Sequence, residues 1–196
     1  MNLAEAILAG GKPDAPALFC GRQEIAYGEL RAAACGWGDR LRELGLRRGD
    51  RVGLFAQNSP FFVAAYLGAI RAGICMAPFP IDCGEKTFGR IVAATGMRRI
   101  LVSTRFHAMI QPWADQLGAE LVVETPEPPR AGPKTVPPVE VDPRRELAAI
   151  MFTSGSTGGV KGVMATHHNI LVNTEDILGY TGIGADDRVM TVLPFY

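Results

Sequence analysis

Apolar positions recur along this chain at two periods. Residues 28–44 place Leu30, Ala34, Trp37, Leu41 and Leu44 at intervals of three and four, and Gly45 stands where a helix C-cap belongs. Arg47-Arg48-Gly49-Asp50 reads as a turn, and Val52 to Phe55 as a buried strand. Ser59-Pro60 has the order of an N-cap followed by proline at the first helical position, opening a helix over 61–72 that ends before Gly73. Ile74 to Phe79 is a further apolar strand. Asp82 and Glu85 have the spacing of a capping box, with Asp in place of Ser or Thr. They precede a short helix through Thr95, stopped by Gly96. Ile100 to Ser103 reads as a strand, 105–117 as a helix interrupted by Pro112, and Leu121 to Val123 as a strand. Continuous apolar strands alternating with helices predict an α/β fold, mostly parallel sheet layers covered by helices.

Residues 125–143 break the alternation. They hold seven of the fourteen prolines and read as an extended surface connector. The expected organisation is a first α/β unit over 1–124, a Pro-rich connector over 125–145, and the truncated start of a second α/β unit over 146–196. That second unit opens with a strand, Leu147 to Phe152. A second strand is expected at Val163 to Thr166 and a helix from about His168. Asp186 and Asp187 read as turn residues ahead of a strand. The chain stops within the apolar run Thr191 to Tyr196, which suggests a cut in or just after a strand of a larger sheet, with an exposed edge.

Composition narrows the function classes. The chain has 196 residues, 20 basic and 20 acidic, so its formal net charge is zero. That argues against a general binder of nucleic acid, whose affinity rests on neutralising phosphates. The longest apolar run, Phe61 to Ile70, falls short of the roughly 20 residues that span a bilayer. The N-terminus lacks the basic region of a signal peptide. Cys20, Cys35, Cys75 and Cys83 show no CxxC spacing, so free thiols, a cytoplasmic location and no metal site are expected.

The segment Thr153 to Gly162 carries the chemistry. Four hydroxyls and four glycines surround Lys161, and no acid lies among them. Glycines let backbone N–H groups approach a ligand, and successive N–H groups form an anion-binding concavity. Hydroxyls add donors, and the lysine adds a mobile positive charge suited to phosphate. The physical reading is a cradle for a phosphate chain; a plain Gly/Ser/Thr surface loop is the competing one. Walker A is excluded, because Lys161 follows Val160 and precedes Gly162. A GxSxG elbow is excluded by Ser154 standing two before Ser156.

The run Thr153-Ser154-Gly155-Ser156-Thr157-Gly158-Gly159-Val160-Lys161-Gly162 resembles the phosphate-loop signature of the adenylate-forming (AMP-binding) superfamily. That superfamily includes acyl-CoA and aryl-CoA synthetases, luciferase and the adenylation domains of peptide synthetases. Val160 stands where proline is usual and Ser156 where threonine is frequent. Further blocks are similar: Ala26 to Leu30, Gly49 to Val52 with Asn58-Ser59-Pro60, Arg71-Ala72-Gly73 with Pro78, Thr166 to Ile170, and Val192 to Phe195. The last resembles the strand that leads to the acyl pocket of acyl- and aryl-CoA ligases.

The resemblance implies the N-terminal portion of the large domain of an ATP-dependent ligase. Such an enzyme activates a small-molecule carboxylate as an acyl-adenylate, then transfers it to a thiol such as CoA. Thr153, Ser154, Gly155, Ser156, Thr157, Gly158 and Lys161 would hold the ATP phosphates, with Mg2+ bound through the ATP. His167 is implied as an active-site neighbour, or is simply the polar residue of a helix start. Tyr196 is implied as a pocket-lining residue. No catalytic residue and no metal ligand is assignable within the segment. The family's other parts lie in a missing C-terminal part, so the segment alone is expected to be inactive. The alternative is a stand-alone phosphate- or nucleotide-binding or docking module without catalysis.

Overall fold

The computed structural model describes residues 1–129, 137–154 and 160–196. Helix α1 (Leu3–Leu8) is followed by a hairpin of β1 (Pro16–Cys20) and β2 (Gln23–Ala26), then α2 (Tyr27–Glu43). The α/β alternation runs through β3 (Arg51–Phe55), α3 (Pro60–Arg71), β4 (Cys75–Pro78), α4 (Glu85–Thr95), β5 (Arg99–Val102), α5 (Thr104–Leu117) and β6 (Glu120–Val123). Strands β7 (Leu147–Ser154) and β8 (Val160–Thr166) and helix α6 (His167–Thr181) complete it.

Six strands form one sheet in the order β6-β5-β3-β4-β7-β8. All neighbours are parallel except β7 and β8, which are antiparallel. Strands from both sides of the proline-rich span therefore share one sheet. The two-residue side-chain period sorts the core into two faces. Val52, Leu54, Met76, Leu101 and Ala148 join α1, α2 and α3 on one face. Phe55, Cys75, Ala77, Ile100, Val102 and Ile150 join α4 and α5 on the other. With both faces covered, the strands had to be apolar throughout, which is why they read as continuous runs.

Helices α2 and α3 pack backbone to backbone. A Cβ on Gly68 would stand 2.6 Å from the Ala34 carbonyl oxygen, and one on Gly38 would stand 2.9 Å from that of Gly68. Only glycine fits at this crossing. Trp37 is buried beside it, edge-on to Phe61 with ring centroids 5.2 Å apart.

The caps mostly fall where the pattern puts them. Ser59 Oγ accepts from the Phe62 N–H at 3.1 Å, with Pro60 at the first helical position. Gly45 and Gly96 hold φ of 87° and 62°, the left-handed region that glycine enters at least cost. Three expectations need correction. Asp82 does not cap α4: the N-cap is Gly84, because Cys83 N–H bonds back to the Pro80 carbonyl and turns the chain earlier. Pro112 does not interrupt α5. A ladder from His107 to Gln111 (2.8 Å) to Asp115 (2.7 Å) braces the helix across the hydrogen bond that proline cannot make. Residues 189–196 form no strand, since none of the described strands pairs with them; ahead of them Gly184 N–H turns onto Asp187 Oδ2 at 2.7 Å. The β1–β2 hairpin was not anticipated. Its signal is Gly21 at φ 60° between two short strands.

Candidate functional site

Parallel strands place all their carboxyl ends on one edge of the sheet, where α/β proteins bind ligands. Here that edge carries the ends of β3, β4, β5 and β7. Strand β7 leaves it at Ser154, and β8 returns antiparallel from Val160. The register sets Phe152 opposite Gly162, Thr153 opposite Lys161, and Ser154 opposite Val160. Gly155, Ser156, Thr157 and Gly158 lie outside the described residues. The base of the turn is thus an exposed hydroxyl, Thr153, across from an exposed ammonium, Lys161. Donors and one cation without an acid match a polyphosphate and do not match a bare divalent cation. Among the described residues no group of three His, Cys, Asp or Glu side chains converges as a metal site.

Glycine at 162 fits the hairpin closely. A Cβ there would meet Ile150 Cγ2 at 2.9 Å and Phe152 Cε1 at 3.4 Å, both reaching across from β7. Ile150 belongs to the core, so the turn is referenced to the sheet interior through this pairing.

His167 stands at the other end of the hairpin. Leu147 pairs with Thr166, so β8 carries the chain about 20 Å away from the turn before α6 begins. The antiparallel return of β8 places His167 at the amino edge of the sheet. His167 is 1% exposed, and its Nδ1 accepts the Leu3 N–H at 3.1 Å, which leaves the ring proton on Nε2. Burial holds its pKa below the ordinary histidine value; the nearby Glu146 opposes this and the N-terminal amine reinforces it. The preceding Thr166 and following Asn169 form a reciprocal cap: Thr166 Oγ1 accepts from Asn169 N–H, and Asn169 Oδ1 accepts from Thr166 N–H, each at 3.1 Å.

The same amino edge carries a second long-range tie. Arg48 grips Glu146 with both arms, Nε to Oε2 at 2.7 Å and an Nη to Oε1 at 2.5 Å. The hydrogen-bonded guanidinium lowers the Glu146 pKa, and the Asp142 N–H adds to it against the opposing effect of burial. This pair pins the start of β7 to the turn before β3.

Tyr196 lies at the carboxyl edge, half-buried, near Ile81 and Asp82 just beyond β4. Burial, then the Asp82 carboxylate, push its phenol above the ordinary value. The preceding residues are held by Asn58, whose Nδ2 donates to the Leu193 carbonyl at 2.8 Å and whose Oδ1 accepts the Phe195 N–H at 2.9 Å. Sequence reasoning noted Asn58 as part of a block and gave it no role. The available signal was an amide placed between a buried strand and a helix cap. All four cysteines are free thiols. Burial pushes Cys75 up to about 12 and Cys83 up to about 11, so neither is a ready nucleophile.

Comparison with known proteins shows the family. Residues 7–196 match the AMP-binding enzyme family. The chain is 30% identical over 208 residues to the 3-hydroxybenzoate--CoA/4-hydroxybenzoate--CoA ligase of Thauera aromatica, covering 97% of this chain and 40% of that protein. It is 33% identical over 177 residues to the phenyloxazoline synthase MbtB of Mycobacterium tuberculosis, covering 90% of this chain and 12% of that one. The crystal structure of apo MatB from Rhodopseudomonas palustris superposes on all of this chain with a TM-score of 0.86 at 24% identity, using 40% of its own length. The chain thus spans 40% of the length of the CoA ligase that it matches. No helix among the described residues is long and apolar enough to cross a membrane. With the signature run at the carboxyl edge of a parallel sheet and the match extending over residues 7–196, this chain belongs to the AMP-binding enzyme family.

Proposed function

We propose that this chain supplies the ATP-phosphate cradle and sheet framework of an acid–thiol ligase. One observation carries the reading: β7 ends and β8 begins at the carboxyl edge of the sheet on either side of the hydroxyl- and glycine-rich sequence, with Thr153 and Lys161 facing each other across the pair. Thr153, Ser154, Ser156, Thr157 and Lys161 hold the β- and γ-phosphates, and Gly155 and Gly158 let the backbone N–H groups come close. Mg2+ enters bound to the phosphates.

In the complete reaction a carboxylate oxygen attacks the α-phosphorus of ATP. The α–β phosphoanhydride bond breaks, pyrophosphate leaves, and an acyl-adenylate remains. A thiol, CoA in this reading, then attacks the acyl carbon and AMP departs. The cradle's contribution is neutralisation of the charge that grows on the leaving pyrophosphate, with the groups already in place. The relatives that are CoA ligases support an acid–thiol reaction. Segments beyond those present here would provide the remaining catalytic groups, so this chain by itself binds ATP without turning it over.

Calorimetric titration of the chain with ATP and with pyrophosphate tests the reading. Binding of both is expected, weakened about tenfold or more by Lys161→Ala. Equal affinity of the wild type and Lys161→Ala chains overturns the cradle.

A further inference from the structure

A cavity of about 340 Å³ opens between β2, α2, the first turns of α3 and the chain that leaves β6. Its size falls within the roughly 300–1,000 Å³ of small-molecule sites. It stands apart from the β7–β8 connection, because four strand spacings, roughly 19 Å, separate β6 from β7.

The lining divides by chemistry. Leu30, Trp37 and Phe61 supply apolar and aromatic wall, with Trp37 edge-on to Phe61. Glu24, Glu29 and Glu124 bring three carboxylates, from β2, from α2 and from the end of β6, and no described lining residue is basic. Glu29 Oε2 accepts the Ala26 N–H at 2.9 Å, and Glu124 Oε2 accepts the Thr104 N–H at 3.4 Å. Each bond fixes one oxygen and leaves the other for a ligand. A cleft lined by one sign of charge over low-dielectric walls concentrates the opposite sign, and aromatic faces attract the same organic cations.

Trp37 adds an independent sign. It is 2% exposed, and its indole Nε1 is sealed from water without a hydrogen-bond partner. Buried donors are as a rule paired, because an unmet one keeps its desolvation cost. Among the described residues that line the cavity, no other buried side-chain polar atom lacks a partner. The wall therefore holds one donor that lacks an acceptor and three carboxylates that lack a cation.

We propose that this cavity binds a small amphiphilic amine. Its ammonium is held by Glu24, Glu29 and Glu124, its apolar or aryl body lies against Leu30 and Phe61, and an oxygen at its far end accepts the Trp37 N–H. The site does not rest on the ligase reading.

The test titrates the chain with tyramine, phenethylamine and 3-(4-hydroxyphenyl)propionate. Affinity is read by calorimetry and contact by the two indole N–H resonances, with Trp113→Phe assigning that of Trp37. Tyramine is expected to bind at least about tenfold tighter than the propionate, which puts a carboxylate in place of the amine. It is expected to bind about fivefold tighter than phenethylamine, which lacks the hydroxyl. The Trp37 resonance should move with tyramine and far less with phenethylamine. Trp37→Phe should abolish the difference between the two amines. Glu24→Gln combined with Glu124→Gln should abolish the preference for amine over acid; Glu29 is left intact because it caps α2. ATP affinity should hold within about twofold throughout.

No tyramine binding at millimolar concentration, equal binding of amine and acid, a Trp37 resonance unmoved by tyramine, or competition between tyramine and ATP overturns the proposal. A chain that binds tyramine in this way and binds no ATP defeats the ligase reading and upholds this site. If Trp37→Phe fails to fold, the resonance shift and the glutamine pair decide.

Discussion

The backbone N–H of Leu3 donates to His167 Nδ1 across 164 positions of sequence. This bond ties α1 to the start of α6 on the sheet edge opposite the β7–β8 connection. It requires a neutral ring, and burial provides one by disfavouring the charged form.

A pH dependence follows. The folded state holds the His167 pKa below its unfolded value of about 6.5. Stability from this group is therefore complete above about pH 6.5 and is lost as pH falls through the folded value, because the unfolded chain takes the proton first. His167→Asn places an amide oxygen near the Nδ1 position without a titrating group. Its urea-unfolding free energy should lose the slope in this window. His167→Ala leaves the Leu3 N–H buried without an acceptor and should cost about 2 kcal/mol. Neither change should alter ATP affinity, since His167 lies far from the turn.

A second window lies lower. Arg48 and the Asp142 N–H hold the Glu146 pKa below that of a free carboxylate. The stability they contribute is present above the unfolded value of about 4.3 and disappears as pH falls through the folded one. Glu146→Gln should flatten the acid limb of the stability curve and reduce its salt sensitivity. An acid limb identical to that of the wild type would rule out this pair as its source.

The contact of α2 with α3 allows no side chain at Gly68. A Cβ there would lie 2.6 Å from the Ala34 carbonyl oxygen and 2.8 Å from Trp37 Cβ, both rigidly placed. Gly68→Ala should lower the unfolding free energy by about 1–3 kcal/mol, although alanine favours a helix elsewhere. Gly89 of α4 has only Leu117 Cδ1 at 4.0 Å from such a Cβ. Gly89→Ala is the control and should be neutral or stabilising by thermal melting.

Gly162 links the core to the β7–β8 pairing beside the proposed phosphate cradle. Gly162→Ala pushes on Ile150 at 2.9 Å and should cost about 1 kcal/mol while displacing the hairpin register that opposes Thr153 to Lys161. ATP affinity should fall in this variant and stay unchanged in His167→Asn. Equal affinity in both would separate the turn from its strand pairing.

Much of this protein was legible one element at a time. Ser59-Pro60, Gly45 and Gly96 mark helix ends through local geometry, and the apolar strands announce a sheet covered on both faces. The glycine-, hydroxyl- and lysine-rich run announced anion chemistry, because those groups are needed together for a phosphate cradle. Pro112 and Asp82 misled because the deciding partners were side-chain bonds along α5 and a turn at Pro80. The run ending at Tyr196 misled because its apolar character was read as a strand, whereas its backbone is held by an amide from residue 58.

The sequence by itself determined helices α2, α3, α5 and α6, the ends marked by Ser59, Gly45 and Gly96, and the apolar strands β3 to β7, all of which depend on residues within a few positions of one another. Tertiary structure alone decided that β7 pairs with β4, that β8 returns antiparallel, and hence that His167 meets Leu3 at the amino edge of the sheet. It also decided that Asn58 meets Leu193 and Phe195. The physical reason is that these partners are separated by tens to more than a hundred residues, and no local propensity encodes which distant group satisfies a buried donor or acceptor.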